Sequence, residues 1–284
     1  MSMHDTGDHS AAVKQALVRM EEIMALGPCD LHIHTTHSDG YVNPAMVVQR
    51  AILHGLRAFS VADHDTTKAI MDVHHVLHKL DLLTFRRPIF VPAVEVSAEY
   101  LGQEIHLLAY FPFGGEYRLE SFLVNQQERR EARNRAMCEK LIQLGYPITY
   151  KMLTASTGNL VGREHMALVL VQEGYYSNPQ ICYAELLDYG KPAFVPRELD
   201  QAEDVLLVLR RAGAVPVLAH PFKYFWFQDE AKDPLYYLEE LRGMGLEGVE
   251  TVHGQATDEQ MEQIATMAKE LGLLRTSGSD VHLT

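Results

Sequence analysis

Two periods alternate along this chain, and the switch between them recurs. Residues 11 to 26 space their apolar side chains at helical intervals and predict an amphipathic helix. "CDLHIH" then reads as a strand running into a polar loop. "NPAMVVQRAILHG" predicts a helix with Asn43 as N-cap, Pro44 in the first turn and Gly55 as its stop. "LRAFSVADHD" is again a strand, apolar and then abruptly polar, and "TTKAIMDVHHVLHKL" is the next helix. The unit returns as "PIFVPAVEVS", "AVPVLAHP", "EGVETVHG" and, after the helix "TDEQMEQIATMAKELG", as "LLRTSGSDVH"; "GQEIHLLAYF" adds an extra strand.

Strands alternating with helices predict an α/β fold. Each apolar strand ends in charged residues, and in parallel α/β barrels those ends gather around one mouth, where chemistry sits. Residues 123 to 196 break the rhythm. "NQQERREARNRAMCEKLIQLG" is a helix with a strongly charged face, and the segments after it read as a small helical insertion packed on the mouth. The ordinary reading of its arginines is a solvated face paired with Glu128 and Glu131.

Composition narrows the class. At 284 residues and 47% hydrophobic content the chain can bury a sizeable core. No run approaches a membrane span, and the N-terminus lacks the basic and apolar regions of a secretory signal, so a cytoplasmic location is expected. Three scattered cysteines, Cys29, Cys138 and Cys182, indicate neither a disulfide framework nor a thiolate zinc site. The net charge of −13 argues against wrapping long nucleic acid. An anionic substrate would then need local positive charge, which bound cations can supply.

Fifteen histidines are the oddity, and their placement matters more than their number. His74, His75 and His78 lie on a helix without matching carboxylates and read as ordinary helix residues; His4 and His9 fall in a polar tail. The strand ends, in order, offer His32 and His34, then Asp63, His64 and Asp65, then Glu95, then His220, and finally Asp280 and His282, and the extra strand adds His106. His32 and His34, two apart on a strand, face the same side and can grip one ion, with Asp39 in the turn beyond. A lone buried histidine is more often a core residue than a ligand. Nine suitable groups at successive strand ends suit Zn²⁺, Mn²⁺ or Fe²⁺ and are too many for one tetrahedral ion, so two or three metals are expected.

"DLHIHTTHSDG", "VADHDT", "AVEVS", "IHLLAYF", "VLAHPF" and "SGSDVH" resemble, in order, the motifs of the PHP (polymerase and histidinol phosphatase) superfamily. Within it the chain is most similar to bacterial phosphoesterases acting on nucleoside 3′,5′-bisphosphates and short RNA ends. The resemblance implies a distorted (β/α)7 barrel, residues 29–122 and 197–284, with a trinuclear centre. Residues 123–196 would form the helical cap, and residues 1–28 an N-terminal helical addition that covers the barrel bottom or mediates a dimer. Carried over, the resemblance puts His32, His34, Glu95 and Asp280 around one metal and Asp39, His64 and His282 around a second. Glu95 would bridge to a third ion completed by His106 and His220. Asp39, His64, Glu95 and His282 become the catalytic set, and Asp63 and Asp65 would orient imidazoles.

The cap pieces "GREH" and "GKPAFVP" look like segments by which relatives close the site, which makes Arg163, His165 and Lys191 candidates for holding a substrate phosphate. Arg129, Arg133 and Arg135 rank below them, and His37 has no assigned role. Histidinol-phosphate phosphatases of the superfamily usually carry histidine at the position of Asp39, so "SDG" favours nucleotide esters. Glu164, where relatives have proline, Ala256, where they often have histidine, and His282, close to the end of the sequence and expected to be poorly held, depart from the pattern. The implied reaction is phosphoester hydrolysis by a metal-bridged hydroxide. A histidinol-phosphate or other small-molecule phosphatase and a purely structural metal-binding module are the alternatives.

Overall fold

The computed structural model describes residues 6–80, 86–157 and 160–282. His4 and the side chain of His9 lie outside what is described. Helix α1, Thr6–Met24, starts a few residues earlier than the pattern predicts. Strand β1 (Cys29–Ile33) follows, then α2 (Pro44–Leu53), β2 (Ala58–Val61) and α3 (Lys68–Lys79). The side chain of Asn43 accepts from the Met46 N–H, satisfying one of the free donors of α2, and Gly55 ends the helix with φ at +66°.

"PIFVPAVEVS" divides where the sequence predicts one strand. Ile89–Phe90 (β3) pairs with β2, and after Val91 and Pro92 the chain enters β4, Ala93–Tyr100, in a different sheet. Pro92 has no N–H to carry the first ladder onward, which suits a switch of sheets at this point. Strand β5, Gln103–Tyr110, returns antiparallel to β4 and pairs antiparallel with β6, Val215–Leu218. β7 (Gly248–His253) and β8 (Leu274–Gly278) complete the second sheet in parallel. Among the described residues the sheets therefore run β1-β2-β3 and β4-β5-β6-β7-β8.

The sheets meet along two seams, and the expected ligands stand on both. At one, His34 N–H donates to Val281 O at 3.3 Å and Asp280 N–H to His32 O at 2.9 Å. At the other, Glu95 N–H donates to Asp63 O at 3.2 Å and Asp65 N–H to Glu95 O at 2.8 Å.

Ala16, Met20 and Ile23 of α1 pack with Leu31, Ala58, Ala93, Leu108, Val217 and Leu274, from strands of both sheets. The N-terminal helix thus lies against strands of both sheets. A second core lies under α8 (Ala202–Arg211) and the helix Asp258–Leu271, at whose start Thr257 and Gln260 form a reciprocal cap.

Between β5 and α8 the chain forms α4 (Glu120–Gln143), α5 (Tyr150–Thr157), α6 (Arg163–Gln172) and α7 (Pro179–Cys182). These helices have an apolar cluster of their own, including Met137, Leu141, Leu153, Met166, Leu170 and Leu187. No helix among the described residues is long and apolar enough to cross a membrane.

Candidate metal centre and its cavity

Three strand ends turn sharply to aim their side chains. Asp65, His220 and Asp280 have φ of 50°, 31° and 49°, the left-handed region that Asp and His enter more readily than most side chains. Two glycines let the backbone approach closely: a Cβ on Gly40 would collide with the His34 carbonyl, and one on Gly278 with the side chains of His32 and Glu250.

Every metal ligand expected from the sequence reaches one region. His34, Asp39, His64 and His282 converge, as do His32, His34 and Asp280, and His64, Glu95 and His106. Nε2 of His34 lies 3.1 Å from Nε2 of His32, 3.2 Å from Asp280 Oδ1 and 3.3 Å from Glu95 Oε2. Glu95 is fully buried and faces two imidazole sets. Its Oε1 lies 3.0 Å from His220 Nε2 and 3.1 Å from His106 Nδ1, and its Oε2 lies 2.9 Å from His64 Nδ1. His64 turns its other nitrogen to Asp39 Oδ2 at 3.5 Å, and His282 Nε2 approaches Asp39 Oδ1 at 3.3 Å. His282 is anchored by its carbonyl, which accepts from Tyr41 N–H at 3.1 Å, and by its Nδ1, which lies 3.0 Å from Asp280 O.

These groups fit divalent ions. Two donors at ~2.0–2.1 Å from a tetrahedral ion are about 3.4 Å apart, within the spread of separations above. Nδ1 of His64 and Oε2 of Glu95 are buried and close, yet neither makes a hydrogen bond of acceptable geometry. Burial favours neutral forms for all these groups. For Glu95 and Asp280 the surrounding imidazoles overcome it and hold the carboxyls well below their usual range. Burial dominates at His220 and pushes it down to about 4, so the ring is neutral and one of its nitrogens keeps a lone pair that an ion could take.

The orienting carboxylate is Glu250, which the sequence reading left without a role. Its Oε1 lies 3.2 Å from His32 Nδ1 and its Oε2 accepts from His220 N–H at 2.8 Å. Donation from Nδ1–H to Glu250 leaves the lone pair of His32 on Nε2, toward Asp280. Asp63 and Asp65 do something else. Asp63 accepts from Thr35 N–H, Thr35 Oγ1 and Ser38 Oγ at 2.6–2.7 Å, which fixes the loop after β1. Asp65 pairs with Arg130 and Arg197, at 2.8 and 2.9 Å.

The centre opens into a cavity of about 820 Å³. Asp39, His64, Glu95, His106, His220, Asp280 and His282 line one side, and Arg130, Arg133, Arg163, Gln180 and Tyr183 the cap side. His165 does not reach this cavity; its Nδ1 accepts from Gly162 N–H at 2.9 Å, closing the start of α6, and its ring borders a smaller neighbouring one with Ser38 and Tyr41. Lys191 is exposed on a turn and is not among the residues lining either space. Arg135 pairs with Glu131 at 2.6 Å and Arg129 with Asp200 at 2.8 Å, as solvated arginines do. His37 lies 2.8 Å from Asp72, and His74, His75 and His78 are exposed on α3.

No family model matches the chain. Over 254 residues it is 30% identical to the 5′-3′ exoribonuclease Rnm of Salmonella typhimurium, covering 89% of this chain and 84% of that protein. The chain belongs to this family of PHP-type metal-dependent phosphoesterases. It is also 28% identical over 257 residues to a 3′,5′-nucleoside bisphosphate phosphatase of Chromobacterium violaceum, covering 89% of this chain and 86% of that one. Among solved structures, a protein from Bifidobacterium adolescentis assigned as a metal-dependent phosphoesterase superposes with a TM-score of 0.79. The match is at 27% identity, over 90% of this chain and 88% of that one.

As a PHP-type phosphoesterase the protein carries polar residues at this site beyond those named from the sequence. His253 Nε2 and Lys223 Nζ stand 3.3 and 2.8 Å from Asp280 Oδ2, and Glu104 lies between His106 and Arg197, at 3.7 and 3.5 Å. Glu250 and His253 sit in "EGVETVHG", a strand with the same polar ending as the others, and that was the signal available for them.

Proposed function

We propose that this phosphoesterase hydrolyses phosphate esters of nucleotides, either nucleoside 3′,5′-bisphosphates or short 5′-phosphorylated oligoribonucleotides. The observation that carries the reading is the two-sided cavity: a buried carboxylate and imidazole cluster on one wall and guanidiniums on the other. That arrangement suits a substrate with one phosphate at the cluster and a second on the cap side. The substrates named for the Salmonella and Chromobacterium relatives have this character.

The architecture is read as a distorted (β/α)7 barrel of residues 29–122 and 197–284, joined along both seams, with 123–196 as its cap. Two to three ions, Mn, Fe or Zn, would be held by His32, His34, Asp39, His64, Glu95, His106, His220, Asp280 and His282. When bound, they supply water activation and polarise the phosphoryl oxygens. Glu95, with an oxygen toward each imidazole set, fits a bridging role, and Asp39, His64 and His282 complete the catalytic side. Glu250 fixes the tautomer of His32, and Arg163 holds the phosphate that is not cleaved, as a planar fork.

A phosphate-release panel with Mn²⁺ tests the reading. Adenosine 3′,5′-bisphosphate and short 5′-phosphorylated RNA are expected to turn over with higher kcat/KM than histidinol phosphate. A preference for histidinol phosphate would overturn the substrate class.

A further inference from the structure

Arg130, Arg133 and Arg163 line the cavity on its cap side, and Arg133 also feels the charge of the buried Arg197. The carboxylates set among them are Asp65 and Glu104. Asp65 is committed to Arg130 and Arg197, and Glu104 lies 3.5 Å from Arg197 and 3.7 Å from His106. Glu164 also lines the cavity, but its Oε2 accepts from Tyr183 OH at 2.8 Å.

Arg133 is the residue left over. It is 6% exposed, and among the described residues no carboxylate comes within ion-pairing distance of it. Among the described residues its Nε has no hydrogen-bond partner, and Nη1 donates to Met137 Sδ at 3.7 Å, a weak acceptor. Burial and the neighbouring Arg163 push its pKa down to about 9, with Glu104 acting the other way. A guanidinium in that position is costly unless something anionic completes it.

We propose that Arg133, together with Arg163, forms a buried subsite for a second phosphate group of the substrate, and that Arg133 sets the preference for doubly phosphorylated nucleotides over simple monoesters. The inference rests on the phosphoester reading above and extends it to a residue of α4. A phosphate dianion matches in charge two guanidiniums that form no ion pair among the described residues, and the guanidinium fork matches its oxygens in shape. The same anion would relieve the repulsion between Arg133 and Arg163. In the protein without substrate, Arg133 costs stability, because a buried charge without its partner is worse than an apolar side chain of similar volume.

Three readouts test this with the full chain. The first compares kcat/KM for adenosine 3′,5′-bisphosphate and for p-nitrophenyl phosphate: Arg133→Met should lower the ratio by about tenfold or more, the scale of one lost charge-assisted contact. Arg133→Lys, with the charge but not the fork, should fall between. In the second, calorimetric binding of adenosine 3′,5′-bisphosphate to the metal-free protein should weaken by a similar factor in Arg133→Met. The third is Tm without ligand, which should stay level or rise in Arg133→Met, whereas an arginine serving the fold would lower it.

An unchanged ratio together with unchanged binding overturns the proposal, as does failure of the metal-free wild type to bind the bisphosphate. If no phosphate ester is turned over but metal-free binding still depends on Arg133, the subsite stands and the reading of the reaction fails.

Discussion

Glu95 is the residue on which the centre turns, because its two oxygens serve different partners: His106 and His220 on one side, His64 on the other. Glu95→Gln should therefore deplete more than one bound ion per chain, and His106→Ala mainly one; metal analysis of the reconstituted variants checks this. Equal metal content in both variants and in the wild type would remove Glu95 from its bridging role. At this scale the sequence was most informative about candidate ligands, since His32, His34, His64 and Asp280 all stand where an apolar strand turns polar. It said less about what surrounds them. The partner of His32 is Glu250, 218 residues away, and only the packing of β7 beside β6 and β8 creates that pairing. Lys191 and His165 carried motif resemblance alone, and local backbone geometry decided where each went.

At the scale of elements, Asp65 ties the cap to the strands. Its N–H bonds to Glu95 O in β4, its carbonyl accepts from Gln127 of α4 at 2.7 Å, and its carboxylate takes Arg130 of α4 and Arg197. Burial alone would raise the Asp65 pKa, but the two guanidiniums prevail and lower it to about 2. Asp65→Asn should destabilise the protein by about 3–5 kcal/mol, because it strands two buried cations, and urea unfolding reads this directly. A loss under about 1 kcal/mol would mean that the tie behaves like an exposed salt bridge. Helix α4 also shows why its role was hard to read. Its buried face runs through Gln126, Arg130, Arg133, Asn134 and Met137, so a polar stripe points inward, and hydrophobic periodicity assigns such a stripe to solvent. The divided strand at Val91–Pro92 was missed for a related reason: an apolar run does not tell which sheet each half will join.

Across the whole molecule, a chain of net charge −13 presents two facing walls in one cavity, a carboxylate cluster that calls for cations and a cap that offers guanidiniums. Strand and helix alternation made the α/β class readable, whereas the antiparallel placement of β5 between β4 and β6 depends on long-range pairing that no local pattern encodes. The central claim is that this cavity breaks phosphate esters through ions held at its carboxylate wall. The most direct test strips the protein with chelator, titrates Mn²⁺ back, and follows both bound metal and phosphate release from adenosine 3′,5′-bisphosphate on the same samples. The account predicts no release from stripped protein and a kcat that rises to a plateau only after two or more ions are bound per chain. Full release by the stripped protein, with chelator still present, would contradict it.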